Sequence, residues 1–293
     1  MNNKSNNKAI YSICVIGAGC LWGTMGYFRR TLGSYGLSSF NIVFLRCIVS
    51  AGLFGILMLL KDRSLFKIKL KDLWCFIGSG VVSLLFFSAC YFQAMTYMSL
   101  SAAAILLYTA PCFVMLISAA LFGERITKRK IAAMLLAFAG CCLTSGITSG
   151  NINISLVGIL YGIGSGIGYA LYSIFGKLAF ERGYGSLTVN FWSCLFAGLG
   201  AGIIWGVGEP AGIMFSSAGK CGFIILAAVI TTFLPYLLYT FGLEGTEAGK
   251  ASVMASVEPV VATIVGLIAF GEAITVPAGA GIALVILAII LLG

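Results

Sequence analysis

The 293-residue chain has no histidine, only two aspartates (Asp62 and Asp72), and charge on just 9% of its residues. Each shortage excludes something. Without histidine, most metal sites lose their commonest nitrogen ligand and general acid–base chemistry loses its usual carrier. A charged fraction of 9% lies far below the roughly 25% of soluble domains. There is no series of short alternating strands, which excludes a membrane β-barrel. Ten cysteines are present, but none form a Cys-x-x-Cys pair, and all fall within or at the ends of apolar runs. They read as small apolar helix residues, not as a disulfide or metal framework. We expect no enzyme, no cofactor and no metal. Asn153-Ile-Ser155 is formally a glycosylation sequon, but nothing else marks a secreted chain.

What is present is apolar length. Sixty per cent of the residues are hydrophobic, in runs of about 20, the length a helix needs to cross the hydrocarbon core. The sequence predicts an all-α integral membrane protein with ten transmembrane helices, at about 9–28, 39–60, 73–95, 100–122, 130–147, 155–178, 186–207, 221–242, 249–270 and 275–292. The first run follows Lys4 and Lys8, as a signal peptide would, but it is longer than a signal core and lacks a cleavage site. It reads as an uncleaved span. The net charge of +9 is a topology signal and not a nucleic-acid footprint. With both termini cytoplasmic, fourteen Lys and Arg fall inside, Arg29, Arg30 and Lys220 fall outside, and Arg46 lies within a span.

The chain repeats itself. FGERIT at 122–127 returns as FGEAIT at 270–275, an offset of 148 that also aligns Pro111 with Pro259 and Tyr91 with Tyr239. With a one-residue slip, Cys47 falls on Cys194 and Arg30 on Lys177. The expected units are residues 1–148 and 149–293. Five spans is an odd number, so the second unit enters the membrane from the opposite side. The charges agree: Arg125, Lys128, Arg129 and Lys130 follow the first FGE, and AITVPAGAG follows the second. Inverted repeats suit a carrier whose binding site lies at the midplane between two halves that exchange conformations.

Two ionisable residues lie deep in apolar spans. Glu258, in VMASVEPVVATIVGLIAF, is about nine residues into its span, or about 13 Å deep at 1.5 Å per residue. An ionised side chain there costs about 2.5–3.5 kcal/mol on insertion scales, so such residues usually line a pathway; the alternative is a structural hydrogen bond to a neighbouring helix. Arg46 lies about 10 Å from the other surface. It either snorkels to headgroups or faces the interior, where it pairs with Glu258 or binds a substrate carboxylate. The repeat partners are Ala110 for Glu258 and about Ser193 for Arg46, so each half contributes one unmatched group of opposite sign. Pro111 and Pro259 are read as paired kinks that loosen the carbonyls of Leu107 and Ala255. Trp22, Tyr91, Tyr108, Tyr169, Tyr172, Trp192, Tyr236 and Tyr239 fall inside spans, with Gln93 and Asn190. Together they suggest a cavity able to stack flat solutes or hold an ammonium by cation–π contact. GILYGIGSG at 158–166 sets Gly158, Gly162 and Gly166 on one face for close helix packing.

CLWGTMGYFRR at 20–30, Arg46, YTAP at 108–111 followed by FGE, and SVEP at 256–259 followed by a second FGE together resemble the EamA family of the drug/metabolite transporter superfamily, over nearly the whole chain. The family pattern usually ends its first motif in lysine, where Arg30 stands here. The resemblance implies a ten-span inner-membrane carrier with a central cavity lined by spans 1, 3, 4, 6, 8 and 9. It also implies a small-molecule partner, often an amino acid or related metabolite for export. The substrate-binding set expected is Glu258, Arg46, Trp22, Tyr91, Tyr108, Tyr169, Tyr239 and Gln93. The second expectation is a multidrug exporter of lipophilic cations with proton coupling at Glu258.

Overall fold

The computed structural model describes residues 2–146 and 155–292. The 148/149 unit boundary, Asn153 of the sequon and the side chains of Lys4 and Lys8 lie outside what is described. Among the described residues eight helices are long and apolar enough to cross a membrane: α1 (Ala9–Ser34), α2 (Ser39–Lys61), α3 (Leu70–Tyr97), α4 (Leu100–Phe122), α6 (Leu156–Glu181), α7 (Ser186–Trp205), α8 (Ala218–Gly245) and α9 (Ala248–Phe270). Two 17-residue helices, α5 (Lys128–Thr144) and α10 (Val276–Leu292), complete the ten. Seventeen residues give about 25 Å, the short end of the spanning range. A short helix, Gly208–Phe215, lies between α7 and α8. The protein is an all-helical, multi-pass membrane protein.

Local chemistry sets the helix ends. Ser38, Ser99, Thr127 and Ser217 each cap an N-terminus, the side-chain oxygen accepting a backbone N–H three residues on. At the other end of α4 and α9 the FGE glycines, Gly123 and Gly271, adopt φ +65° and +66°. This left-handed turn favours glycine, and it lets the Glu124 N–H reach Ser118 O and the Glu272 N–H reach Gly266 O.

The two halves interlock. α1 packs on α8 and α9, and its repeat equivalent α6 packs on α3 and α4. α2 packs on α7, and α5 on α10. The α5–α10 pair runs antiparallel: Arg129, at the start of α5, donates to the carbonyl of Leu291, at the end of α10. Gly140 and Gly281 lie at the crossing. This is the arrangement that two inverted copies of one five-helix unit require.

Irregularities recur in both halves. α4 breaks at Tyr108–Thr109, and α9 breaks through a 3₁₀ turn at Ala255–Val257; Pro111 and Pro259 open the second segment of each. These are interruptions, a stronger departure than the expected kinks. Carbonyls at each break lie against glycine. A Cβ on Gly166 would meet Leu106 O at 2.9 Å, and one on Gly19 would meet Ala255 O at 2.7 Å. Gly158 and Gly162 pack on Met98 and Leu106 in the same way, so the glycine face predicted for α6 serves close approach. α3 and α8 each contain a π-helical stretch, Gly78–Leu85 and Val229–Phe233, at overlapping repeat positions. Such bulges leave carbonyls without helical partners and often mark functional sites.

Candidate functional site

A cavity of about 530 Å³ lies between the halves. Its walls come from the spans the resemblance implied, with additions from α2 through Ile42, Val43, Arg46 and Cys47, from the end of α5 through Thr144 and from the start of α10 through Ala278. It reaches the surface at the end of the molecule where Arg29, Leu100, Ser101 and Glu272–Thr275 lie. At its inner end Trp22 meets Tyr236 edge-on at 5.3 Å and Tyr169 at 6.2 Å between ring centroids. Trp22 and Tyr169 are themselves repeat partners, 147 positions apart.

Arg46 faces the cavity. Its Nε donates to Thr232 Oγ1 at 2.7 Å, and one terminal nitrogen reaches Thr231 O at 3.4 Å. Both partners lie in the π-helical stretch of α8, so the bulge holds the guanidinium. The other terminal nitrogen lies 3.0 Å from Met25 Sδ, a weak acceptor that leaves donor capacity unused. In the other half the same position is Ser193, whose hydroxyl pairs with Ser79 at 2.5 Å inside the π-helical stretch of α3. The arginine of the first half and its cradle in the second thus have no equivalent with the halves exchanged.

Glu258 lines the same cavity, at the break in α9. Among the described residues its carboxyl accepts no hydrogen bond and forms no ion pair, with Arg46 or any other cation. Two opposite charges therefore share one cavity without contacting each other.

The other expected site residues divide. Trp22, Tyr91, Tyr108, Tyr169 and Pro259 line the cavity. Tyr239 lies beneath it, 2% exposed, sharing a 2.6 Å hydrogen bond with Ser173. Tyr172 lies at the same depth, donating to Asn190 at 2.6 Å. These pairs satisfy hydroxyls in the floor. Gln93 is exposed and outside the lining, because its α3 face points away from the interior. Pro111 is buried and also outside it. Trp192 packs between Phe191 and Phe196, with its indole nitrogen buried and without a partner among the described residues. Sequence reasoning missed Arg29, which lines the mouth with its guanidinium 6.0 Å from the Phe92 ring; its place in the sequence marks it only as an outward topology charge. It also missed the Thr231–Thr232 cradle, which the hydroxyl pair within an apolar span could have signalled.

The FGE motifs occupy the two ends. At one, Glu124 pairs with Lys177 of α6, and the Lys177 ammonium lies 5.6 Å from the Phe122 ring. At the other, Glu272 pairs with Arg30 of α1 at 2.8 Å, and Arg30 lies 4.0 Å from the Phe270 ring. Phenylalanine and glutamate come from one half and the cation from the other, twice over.

Over residues 9–146 and again over 156–293, the sequence matches the EamA-like transporter family. The chain belongs to the EamA-like transporter family. The transporter is similar to an uncharacterized transporter of Archaeoglobus fulgidus, at 28% identity over 86% of this chain and 88% of that one. It is also similar to the uncharacterized transporter YwfM of Bacillus subtilis, at 23% identity over 97% and 93%. A solved crystal structure superposes with a TM-score of 0.80 over 96% of this chain and 95% of its own, at 18% identity, which concerns the fold alone. This is a membrane transporter, and its partners are a small-molecule substrate and the lipid bilayer.

Proposed function

We propose that this transporter exports small zwitterionic metabolites, foremost amino acids, by alternating access through the central cavity. The observation that carries the reading is the pair Arg46 and Glu258, which line one cavity and remain apart. A free pair of opposite charges suits a ligand that brings both complements: a carboxylate for the forked donors of Arg46 and an ammonium for Glu258. Trp22, Tyr91, Tyr108 and Tyr169 supply faces for the ammonium or for a flat side chain. A volume of about 530 Å³ is ample for one such solute and lies within the usual range of ligand sites, about 300–1,000 Å³. In this reading the units are 1–148 and 149–293. The membrane is the inner membrane, and both termini are cytoplasmic, as the basic loops favour.

The competing reading is an exporter of lipophilic cations in which Glu258 alternately binds proton and drug. The aromatic walls suit such a ligand, while the fixed charge of Arg46 opposes a second cation in the same space. Counterflow in proteoliposomes with a panel of amino acids and organic cations separates the two. Saturable exchange of amino acids that is lost in Arg46→Ala supports the first reading; cation exchange that survives the substitution supports the second.

A further inference from the structure

The two end clusters are copies of one device, and they are in different states. At its own end Glu124 is enclosed, with 7% of its side chain exposed. Besides Lys177, its carboxylate accepts the backbone N–H groups of Ala248 (2.8 Å) and Gly249 (3.2 Å), at the start of α9. Glu124 thus ties α4, α6 and α9 together and shuts that end. Lys130 of α5 adds a pair with Glu247.

The repeat gives the counterpart of each part. Glu272 stands for Glu124 and Arg30 for Lys177; Leu100 and Ser101, at the start of α4, stand for Ala248 and Gly249. Yet Glu272 is 53% exposed and Arg30 60% exposed. The Glu272 carboxylate is folded back over its own helix, where a Cβ on Gly266 would meet it at 2.5 Å. Among the described residues the N–H groups of Leu100 and Ser101 have no acceptor, and both residues line the open mouth. The cation and the phenylalanine are in place; only the third contact is missing.

We propose that Glu272 is the closing residue of this mouth: when the Glu124 end opens, the Glu272 carboxylate, still carrying Arg30, moves onto the N–H groups of Leu100 and Ser101. The closure reproduces the observed Glu124 contact with the halves exchanged. It rests on the alternating-access part of the proposed function and not on the identity of the substrate. The Lys130–Glu247 pair has no equivalent here, since those positions are Ala278 and Ser99. That asymmetry favours the state seen, closed at Glu124 and open at Glu272.

The test needs no substrate. Ala104 lines the cavity, so Ala104→Cys reports opening of the mouth through its alkylation by an impermeant maleimide added from that side, read by mass spectrometry of that peptide alone. Glu124→Gln should slow labelling at least threefold, because it releases the opposite end. Adding Glu272→Gln should restore it. Ser101→Pro, which removes one acceptor-seeking N–H at a first-turn position where proline is tolerated, should restore it in the same background without touching the Arg30 pair. If labelling does not fall in Glu124→Gln, or falls and is rescued by neither second change, the proposal is wrong and Glu272 serves only to hold Arg30. Amino-acid counterflow on the same vesicles distinguishes this failure from failure of the substrate reading.

Discussion

Gly140 and Gly281 meet backbone to backbone: a Cβ on either would lie 2.7 Å from the carbonyl oxygen of the other. The contact is reciprocal because α5 and α10 are equivalent helices crossing in opposite directions. It fixes the separation of the two halves where lipid surrounds them, a place where association depends on close packing.

Gly140→Ala should therefore destabilise the protein. The obstructing atoms are backbone and cannot rotate away, so the helices must separate. Overpacking of this kind costs about 1–3 kcal/mol. Thermal unfolding in detergent should show a lowered midpoint, with Gly279→Ala, where an added Cβ meets nothing, as an unaffected control.

Glu258→Gln keeps the shape of the side chain and removes its charge. Hydrogen bonds to charged groups contribute about 1.5–3 kcal/mol, so losing the ammonium contact should reduce amino-acid counterflow about 10- to 100-fold. Wild-type rates with a wild-type pH profile would remove both the ammonium role and proton coupling from consideration.

Arg46→Lys preserves charge but not the fork that binds Thr232, Thr231 O and a carboxylate together. It should retain weak transport with a KM raised about tenfold, the scale of one lost charge-assisted contact. The matching amine without a carboxylate should compete equally well in both proteins.

The Glu124 carboxyl lies at a helix end outside the spans. Burial raises its pKa, but the Lys177 ammonium and the Ala248 and Gly249 N–H groups outweigh this and hold it below the ordinary glutamate value. A depressed carboxylate contributes stability above its unfolded pKa, about 4.3, and loses it as pH falls through the folded value. Closure of that end should thus be constant from pH 5 to 8 and fail only in stronger acid. Labelling at Ala104→Cys, divided at each pH by the rate for the same thiol in the unfolded protein to remove the thiolate fraction, should be flat across that range; a transition near neutrality in that ratio would contradict the assignment.

Lys128 begins α5 and Val276 begins α10, and because these helices are antiparallel the two residues lie at opposite ends of the molecule. Cysteines placed at 128 and 276 should react with impermeant reagents from opposite faces of the membrane, residue 128 from the cytoplasmic side. Labelling of both from one side would overturn the orientation.

Much of this architecture is written in one dimension. Apolar runs of spanning length determine the helices, because an unsatisfied backbone cannot exist in hydrocarbon. The duplicated FGE and aligned prolines determine two copies, and their odd span number, with the reversed charge, determines the inversion. Glu258 was legible as a site residue because a lone carboxylate in an apolar run needs a reason to be there. The tertiary structure alone decided which way side chains face. Arg46 turns to the cavity because a π-helical stretch in α8, 186 residues away, offers it acceptors. Gln93 turns outward on a helix whose other face carries Tyr91. Nor does sequence say which FGE glutamate is capped: the charges that follow the two motifs differ, but only the packing of the opposite half closes a contact over Glu124 and leaves one open beside Glu272.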